Sequence, residues 1–165
     1  MQITFLGADY PLVKTFNLVD GHIEKSPYPN AYLFTSNTYE ITTLQQFHDL
    51  IQHAASQGQC LLKGELKREL KKESRAGSTD AETKTQWVCF DLDGIESYKT
   101  PDEFMHAIGC ADVSYIVQYS ASMGIDGNNG LRAHIFALLT APVAAPFLKQ
   151  WLMHLNLNVE SLRNE

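Results

Sequence analysis

Two aspartates, Asp91 and Asp93, close an apolar run that reads Trp87-Val-Cys-Phe-Asp-Leu-Asp-Gly94, and His134 lies inside a second apolar run further along. If both runs are strands, successive side chains alternate between faces. Asp91 and Asp93 then leave one face while Val88, Phe90 and Leu92 leave the other. The same alternation through residues 131–139 sets Arg132 and His134 against Ala133, Ile135 and Ala137. Two carboxylates this close repel each other and raise one pKa unless a cation neutralises them. A hard divalent ion, Mg²⁺ or Mn²⁺, is the natural occupant. With a nearby His134 or Arg132 on a polyphosphate, such a site suits phosphoryl chemistry. The plain alternative is a turn with exposed acids. Against it, Asp91 falls inside the apolar run rather than after it.

Several elements must hold these residues in place. From residue 86 onward the pattern predicts a strand over 87–93, a helix near 101–108, a strand over 113–120, a loop, a strand over 131–139 and a helix near 145–155. Thr100 as N-cap, Pro101 at the first helical position and Glu103 completing a capping box mark the first helix. In the middle strand Val113, Tyr115, Val117 and Tyr119 form the apolar side, and Ser114, Gln118 and Ser120 the polar side. In a β-α-β-β-α-β sheet the first and third strands are central neighbours and the helices cover one face. Asp91, Asp93, Arg132 and His134 would then share the open face. The expected class is α/β (α+β), an RRM-like or ferredoxin-like β-α-β-β-α unit behind an N-terminal αβ module. Such a unit needs one more strand after the second helix, and the polar ending 156–165 supplies at best a weak one, so the chain is expected to be the front part of a longer protein. The loop 121–130, with Gly124, Gly127, Asn128, Asn129 and Gly130, either curls its amides toward an anion or is a flexible hairpin connection.

The N-terminal module, 1–85, opens with short strands joined by turns at Gly7, Pro11, Gly21, Pro27 and Pro29. Thr42 or Thr43 caps a helix, because Leu44, Phe47, Leu50, Ile51 and Ala54 recur at helical spacing before Gly58. A short strand over 60–62 follows. Residues 63–75 alternate Lys63, Lys67, Arg68, Lys71, Lys72 and Arg75 with Glu65, Glu69 and Glu73. They read as a solvated helix face with i,i+4 ion pairs. Residues 73–85 have almost nothing to bury and read as a mobile loop. Together with 86–165 the module is expected to form one globular domain.

Bulk properties narrow the field further. At 165 residues and 44% hydrophobic the chain can bury a real core. Its longest apolar runs fall far short of the roughly 18 to 20 residues that cross a bilayer, and residues 1–12 carry no secretory signal. A cytoplasmic location without a membrane partner is the expectation. Cys60, Cys89 and Cys110, odd in number and widely spaced, read as reduced and mostly buried thiols. A net charge of -6 excludes binding to nucleic acid by bulk electrostatics, so any such contact needs a local patch. Trp87, Trp151, Phe104, Phe136 and Phe147 fit packing roles, and Phe136 is the best candidate for base stacking because it shares the face of His134.

The run from Trp87 to Gly94 resembles the acidic first motif of the archaeo-eukaryotic primase superfamily, especially the primase-polymerases of phages, plasmids and mobile elements. Tyr119-Ser-Ala-Ser-Met-Gly124 through Leu131-Arg-Ala-His-Ile-Phe136 is similar to its histidine motif. Leu62-Lys-Gly64 through Glu73-Ser-Arg-Ala-Gly77 looks like the stretch before the acidic motif in mobile-element relatives. The resemblance implies that Asp91 and Asp93 bind Mg²⁺ or Mn²⁺ and that His134 contacts the phosphates of an incoming nucleoside triphosphate. Arg132, Ser120, Ser122, Lys63 and Arg75 are the further candidates for nucleotide or phosphate contact. It also implies a DNA primase or polymerase acting on a single-stranded DNA template beside a helicase module. This chain departs from the family in having Arg132 where Ser is common. The third acidic motif, which lies beyond the histidine, has no match, Glu160 and Glu165 being the only acids left. Two rivals stand beside this reading. One is a haloacid-dehalogenase-like phosphatase with Asp91 as nucleophile and Asp93 as general acid; the other is a non-catalytic nucleic-acid or protein-binding module.

Overall fold

The computed structural model describes residues 1–27, 30–80, 82–125 and 130–162, with side chains as far as residue 155. Pro29 and the loop residues Gly127, Asn128 and Asn129 lie outside the described residues, as do the side chain of Glu160 and all of Glu165. The chain divides into two compact units, Met1–Thr83 and Lys84–Glu165. Among the described residues no helix is long and apolar enough to cross a membrane.

The first unit is built from β1 (Gln2–Gly7), β2 (Thr15–Val19), β3 (His22–Ser26), β4 (Phe34–Glu40), α1 (Leu44–Ser56), β5 (Cys60–Leu61), β6 (Glu65–Leu66), β7 (Lys71–Glu73) and β8 (Thr79–Asp80). An antiparallel sheet of order β5-β1-β4-β7 is its frame, and β2-β3 and β6-β8 are separate two-stranded ribbons. α1 starts as its sequence predicts. Thr43 is the N-cap, and Gln46 returns its side chain to the Thr43 amide, so two orphan donors are satisfied reciprocally. Phe47, Ile51 and Ala54 form the buried stripe of α1. Gly58, at φ +64°, lies where a Cβ would strike Pro11, so only glycine suits the turn after α1. The three cysteines are free thiols, each half-buried rather than fully enclosed.

The basic run is not a helix. Leu62 and Leu70 are buried with Leu6 in one cluster, and the amide of Leu70 donates to Ser36 Oγ at 2.8 Å while its carbonyl accepts from the Ser36 amide at 3.1 Å. The backbone partners of Leu70 therefore lie across the sheet in β4, and the Lys67 amide donates to the Ser78 carbonyl. Gly64 and Lys72, both at positive φ, also break a right-handed helix. Lys72 sits where the β4–β7 pairing shifts register, between Phe34↔Glu73 and Thr35↔Lys71, as a bulged residue would. The expected i,i+4 pairs give way to contacts set by this path. Arg68 grips both oxygens of Glu73 at 2.6 Å, Lys71 lies 3.6 Å from Glu69, and Lys72 lies 2.8 Å from Asp9. Residues 79–80, expected in a loop, pair with β6.

The second unit runs β9 (Lys84–Ile95), α2 (Pro101–Ala107), β10 (Tyr115–Tyr119), β11 (Leu131–Ala144) and α3 (Ala145–Leu162). Its sheet is antiparallel with order β10-β11-β9. Val88, Phe90 and Leu92 of β9 and Ala133, Ile135 and Ala137 of β11 are buried together with Phe104 and Met105 of α2, and Leu148, Leu152 and Leu155 of α3 pack on them. Phe90 is the centre of this layer, its ring edge-on to Phe104 and Trp151, each at 5.7 Å between centroids. Thr100 caps α2 and Pro101 opens it. The Glu103 carboxylate accepts from the Lys99 amide, one residue before the partner that a capping box predicts.

Three expectations need correction here. β10 begins at Tyr115 because the Val113 amide turns back to the Cys110 carbonyl, which leaves Val113 exposed. Phe147 is 72% exposed and packs no core. The sheet face opposite the helices is not open throughout: Trp87, Ile116 and Phe136 on that face are buried. Phe136 at 4% exposure, with Trp87 at 6.3 Å, offers no ring face for a base to stack on.

Replacing Phe90 by Ala should cost about 3–5 kcal/mol, read as a lower urea midpoint at unchanged slope. The Glu73 carboxyl is held down to about 2 by the Arg68 hydrogen bonds first and the Lys71 amide second. Because folding lowers this pKa, the pairing favours the fold above the ordinary carboxylate range and its contribution fades as pH falls toward 2. An NMR titration should place the Glu73 midpoint near 2, and Arg68→Ala should return it toward the ordinary value.

Candidate functional site

β9 presents Asp91 and Asp93 on the face opposite the helices because the buried Phe90 and Leu92 fix the strand's rotation. The β9–β11 register then decides what the acids meet. His134 lies directly opposite Asp91, and Arg132 opposite Asp93. His134 Nε2 is 3.2 Å from Asp91 Oδ1, and Arg132 Nη1 donates to Asp93 Oδ1. Gln118 of β10 is opposite His134 on the far side of β11. The five charged or polar side chains thus form two cross-strand rows, Asp91–His134–Gln118 and Asp93–Arg132. Exposure separates them: Asp93 is 83% exposed and Asp91 57%, while Arg132 is only 23% exposed.

Two glycines, overlooked as site residues in the sequence, shape this site. The register shifts between Leu131 and Arg132, so Gly94 has no partner there and acts as the extra residue of a bulge. Its φ is +79°, and a Cβ on it would stand 3.0 Å from Arg132 Nη2. A Cβ on Gly130 would stand 2.7 Å from the carbonyl carbon and oxygen of Gly94. The guanidinium therefore lies over one bare backbone position, and that position lies against another. The sequence signal was present, a glycine after the second acid and one before Leu131, but only the pairing reveals that they touch.

Ser120 and Ser122 lie in the turn that leaves β10. The Ser120 amide donates to the Arg132 carbonyl at 2.9 Å, which fixes the turn beside the site. The two hydroxyls lie 3.0 Å apart in one hydrogen bond. The amides of Ser122, Met123 and Ile125 point to Ser120 or Ser122, so this part of the loop directs its donors inward rather than to an anion. Lys63 and Arg75 belong to the first unit, where both line one open hollow.

For a metal, the donor types are suitable. Alternate strand residues are separated by about 6.6–7 Å, and oxygens at about 2.0–2.4 Å from a shared Mg²⁺ or Mn²⁺ can span that gap. In the described arrangement Asp93 instead faces Arg132, and among the described residues no group of three His, Cys, Asp or Glu side chains is set to hold an ion. Arg132 occupies one oxygen of Asp93, so joint ligation by Asp91 and Asp93 would use the other oxygen or displace Arg132. No protein-family model, curated protein or solved structure matches the chain.

Gly130→Ala should destabilise the second unit by about 1–3 kcal/mol, because backbone rather than a flexible side chain must yield. Gly7→Ala, whose methyl would meet only the Gln59 side chain at 3.7 Å, is the control. Thermal melts of the two variants should separate clearly, with the Gly130 variant melting lower.

Proposed function

We propose that the chain is the catalytic domain of a DNA primase-polymerase of a phage, plasmid or mobile element, a cytoplasmic enzyme that transfers nucleotidyl groups from nucleoside triphosphates onto a primer or initiating nucleotide on a single-stranded DNA template. The observation that carries this reading is the pair of rows Asp91–His134 and Asp93–Arg132 on adjacent antiparallel strands. The sheet order β10-β11-β9 supports it, since a split β-α-β unit sets its second, third and first strands side by side in that order. A helicase module is the partner this reading implies.

Asp91 and Asp93 would hold Mg²⁺ or Mn²⁺. When bound, the ion neutralises charge that develops on the phosphate oxygens. His134, half-buried beside Asp91, donates to a phosphate oxygen of the triphosphate. Arg132 trades its carboxylate partner for another anion, the triphosphate, whose planar bidentate recognition suits a guanidinium. The reaction served is attack of a 3′-hydroxyl on the α-phosphorus. The new O–P bond forms as the bond to pyrophosphate breaks.

The Arg132–Asp93 pair favours a second reading, in which the site is closed to metal and the chain only binds nucleic acid or protein. No described feature favours the phosphatase over either. Incorporation of labelled nucleotides on a primed template with Mn²⁺ separates the readings. The transfer reading expects incorporation that falls at least about 100-fold in Asp91→Ala. Absence of incorporation by the longest natural form of the protein, or incorporation indifferent to Asp91→Ala, overturns it. Phosphate release from an aryl phosphate would instead support the phosphatase.

A further inference from the structure

We infer that the chain pairs with a second copy of itself through the free edge of β2, joining two β2-β3 ribbons into one four-stranded antiparallel sheet. Among the described residues β2 pairs with β3 alone. Every residue of both strands is exposed except Phe16, which is half-buried. Leu18 is 75% exposed, and Ile23, directly across from it, 46%. A two-stranded ribbon by itself is marginal in water, and further strands with a shared apolar face stabilise it.

The two edges of the ribbon differ. Asp20 and Gly21, at φ +49° and +81°, form a two-residue turn in which Val19 and His22 are the first hydrogen-bonded pair. Hydrogen-bonded and non-hydrogen-bonded pairs alternate from there. The amides and carbonyls of Phe16 and Leu18 therefore point outward from β2, and those of Ile23 and Lys25 outward from β3. β3 carries Glu24 and Lys25, charges of the kind that keep a sheet edge unpaired. β2 reads Thr15-Phe-Asn-Leu-Val19, an uncharged strand that offers its edge as a template for another.

The occupant follows from the complementarity of β2 to itself. When two identical antiparallel strands are related by a two-fold axis, one residue lies opposite its own copy. With Asn17 at the axis, Phe16 meets Leu18 of the second copy, Thr15 meets Val19, and Lys14 meets Asp20. Symmetry makes each of these contacts twice. Centring the pair on Thr15, Phe16, Leu18 or Val19 instead sets Phe16 or Leu18 against Lys14 or Asp20. One register alone joins apolar to apolar and cation to anion along the edge. Neither Lys14 nor Asp20 has an ion-pair partner among the described residues. In the same register the outward amides of Phe16 and Leu18 donate to each other's carbonyls across the axis.

The test is sedimentation equilibrium of the full chain in reductant, without nucleotide or divalent ion, so the result does not depend on the transfer reading. Five residues a side make a small interface, and the mass should rise from monomer to dimer, and no further, across about 1–500 µM. Leu18→Lys should weaken association at least about tenfold, because it sets an ammonium against Phe16 of the second copy at two symmetric places. Lys14→Glu should weaken it more at low salt than at high, and adding Asp20→Asn, which suits the turn, should recover part of the loss. On mild oxidation Asn17→Cys should form a disulfide-linked dimer, because the two Cα atoms lie about 4.5–5.5 Å apart at the axis. Thr15→Cys, displaced along both strands, should cross-link no more than wild type. These side chains are exposed, and unchanged urea midpoints at monomeric concentration verify that the variants are folded. A wild-type chain that stays monomeric to about 500 µM overturns the inference. So does folded Leu18→Lys that associates as wild type does, or Thr15→Cys that cross-links as readily as Asn17→Cys.

Discussion

The site depends on one constraint, the register in which β9 pairs with β11. Side chains alternate along a strand, so a slip of one residue would send His134 and Arg132 into the core and bring Ala133 and Ile135 out. The core prevents that slip. Phe90, Leu92, Ile135 and Ala137 are buried together with Phe104 and Met105, and moving this set to water would expose several side chains worth roughly 1.5–3 kcal/mol each. The polar arrangement at the surface is thus held by apolar packing beneath it, and the ion pairs need contribute little to stability themselves. Exposed pairs of this kind contribute at most about 1 kcal/mol.

That register replaces an expected problem with a different one. Two carboxylates on alternate residues look like a repelling pair in want of a metal. In the folded sheet each acid has its own neighbour, an imidazole for Asp91 and a guanidinium for Asp93. The bulge at Gly94 and the bare backbone of Gly130 let the Arg132 head group lie close. Metal binding by these acids therefore turns on whether an ion shares Asp93 with Arg132 or displaces it, not on whether the carboxylates leave one face.

The first unit illustrates the same logic with opposite outcome. Its basic run has the spacing of a helix, yet Leu62 and Leu70 are drawn into the core under β1 and β4. Burying them and satisfying the Leu70 amide and carbonyl on Ser36 outweighs the few tenths of a kcal/mol that each i,i+4 pair would add. The charges then find partners wherever the strand path brings them.

Sequence by itself determined the local features: the capped starts of α1 and α2, the alternation that puts Asp91 and Asp93 on one face, and the β-α-β-β-α order. These follow from interactions within a few residues, where periodicity and capping chemistry are legible. Only the tertiary structure decided which side chains oppose the acids, that Gly94 meets Gly130, that Phe136 is buried and that residues 63–75 are not helical. Each of those is fixed by residues distant in the chain. A cross-strand neighbour is set by register and an apolar segment by the core it joins, and neither is written in the segment itself.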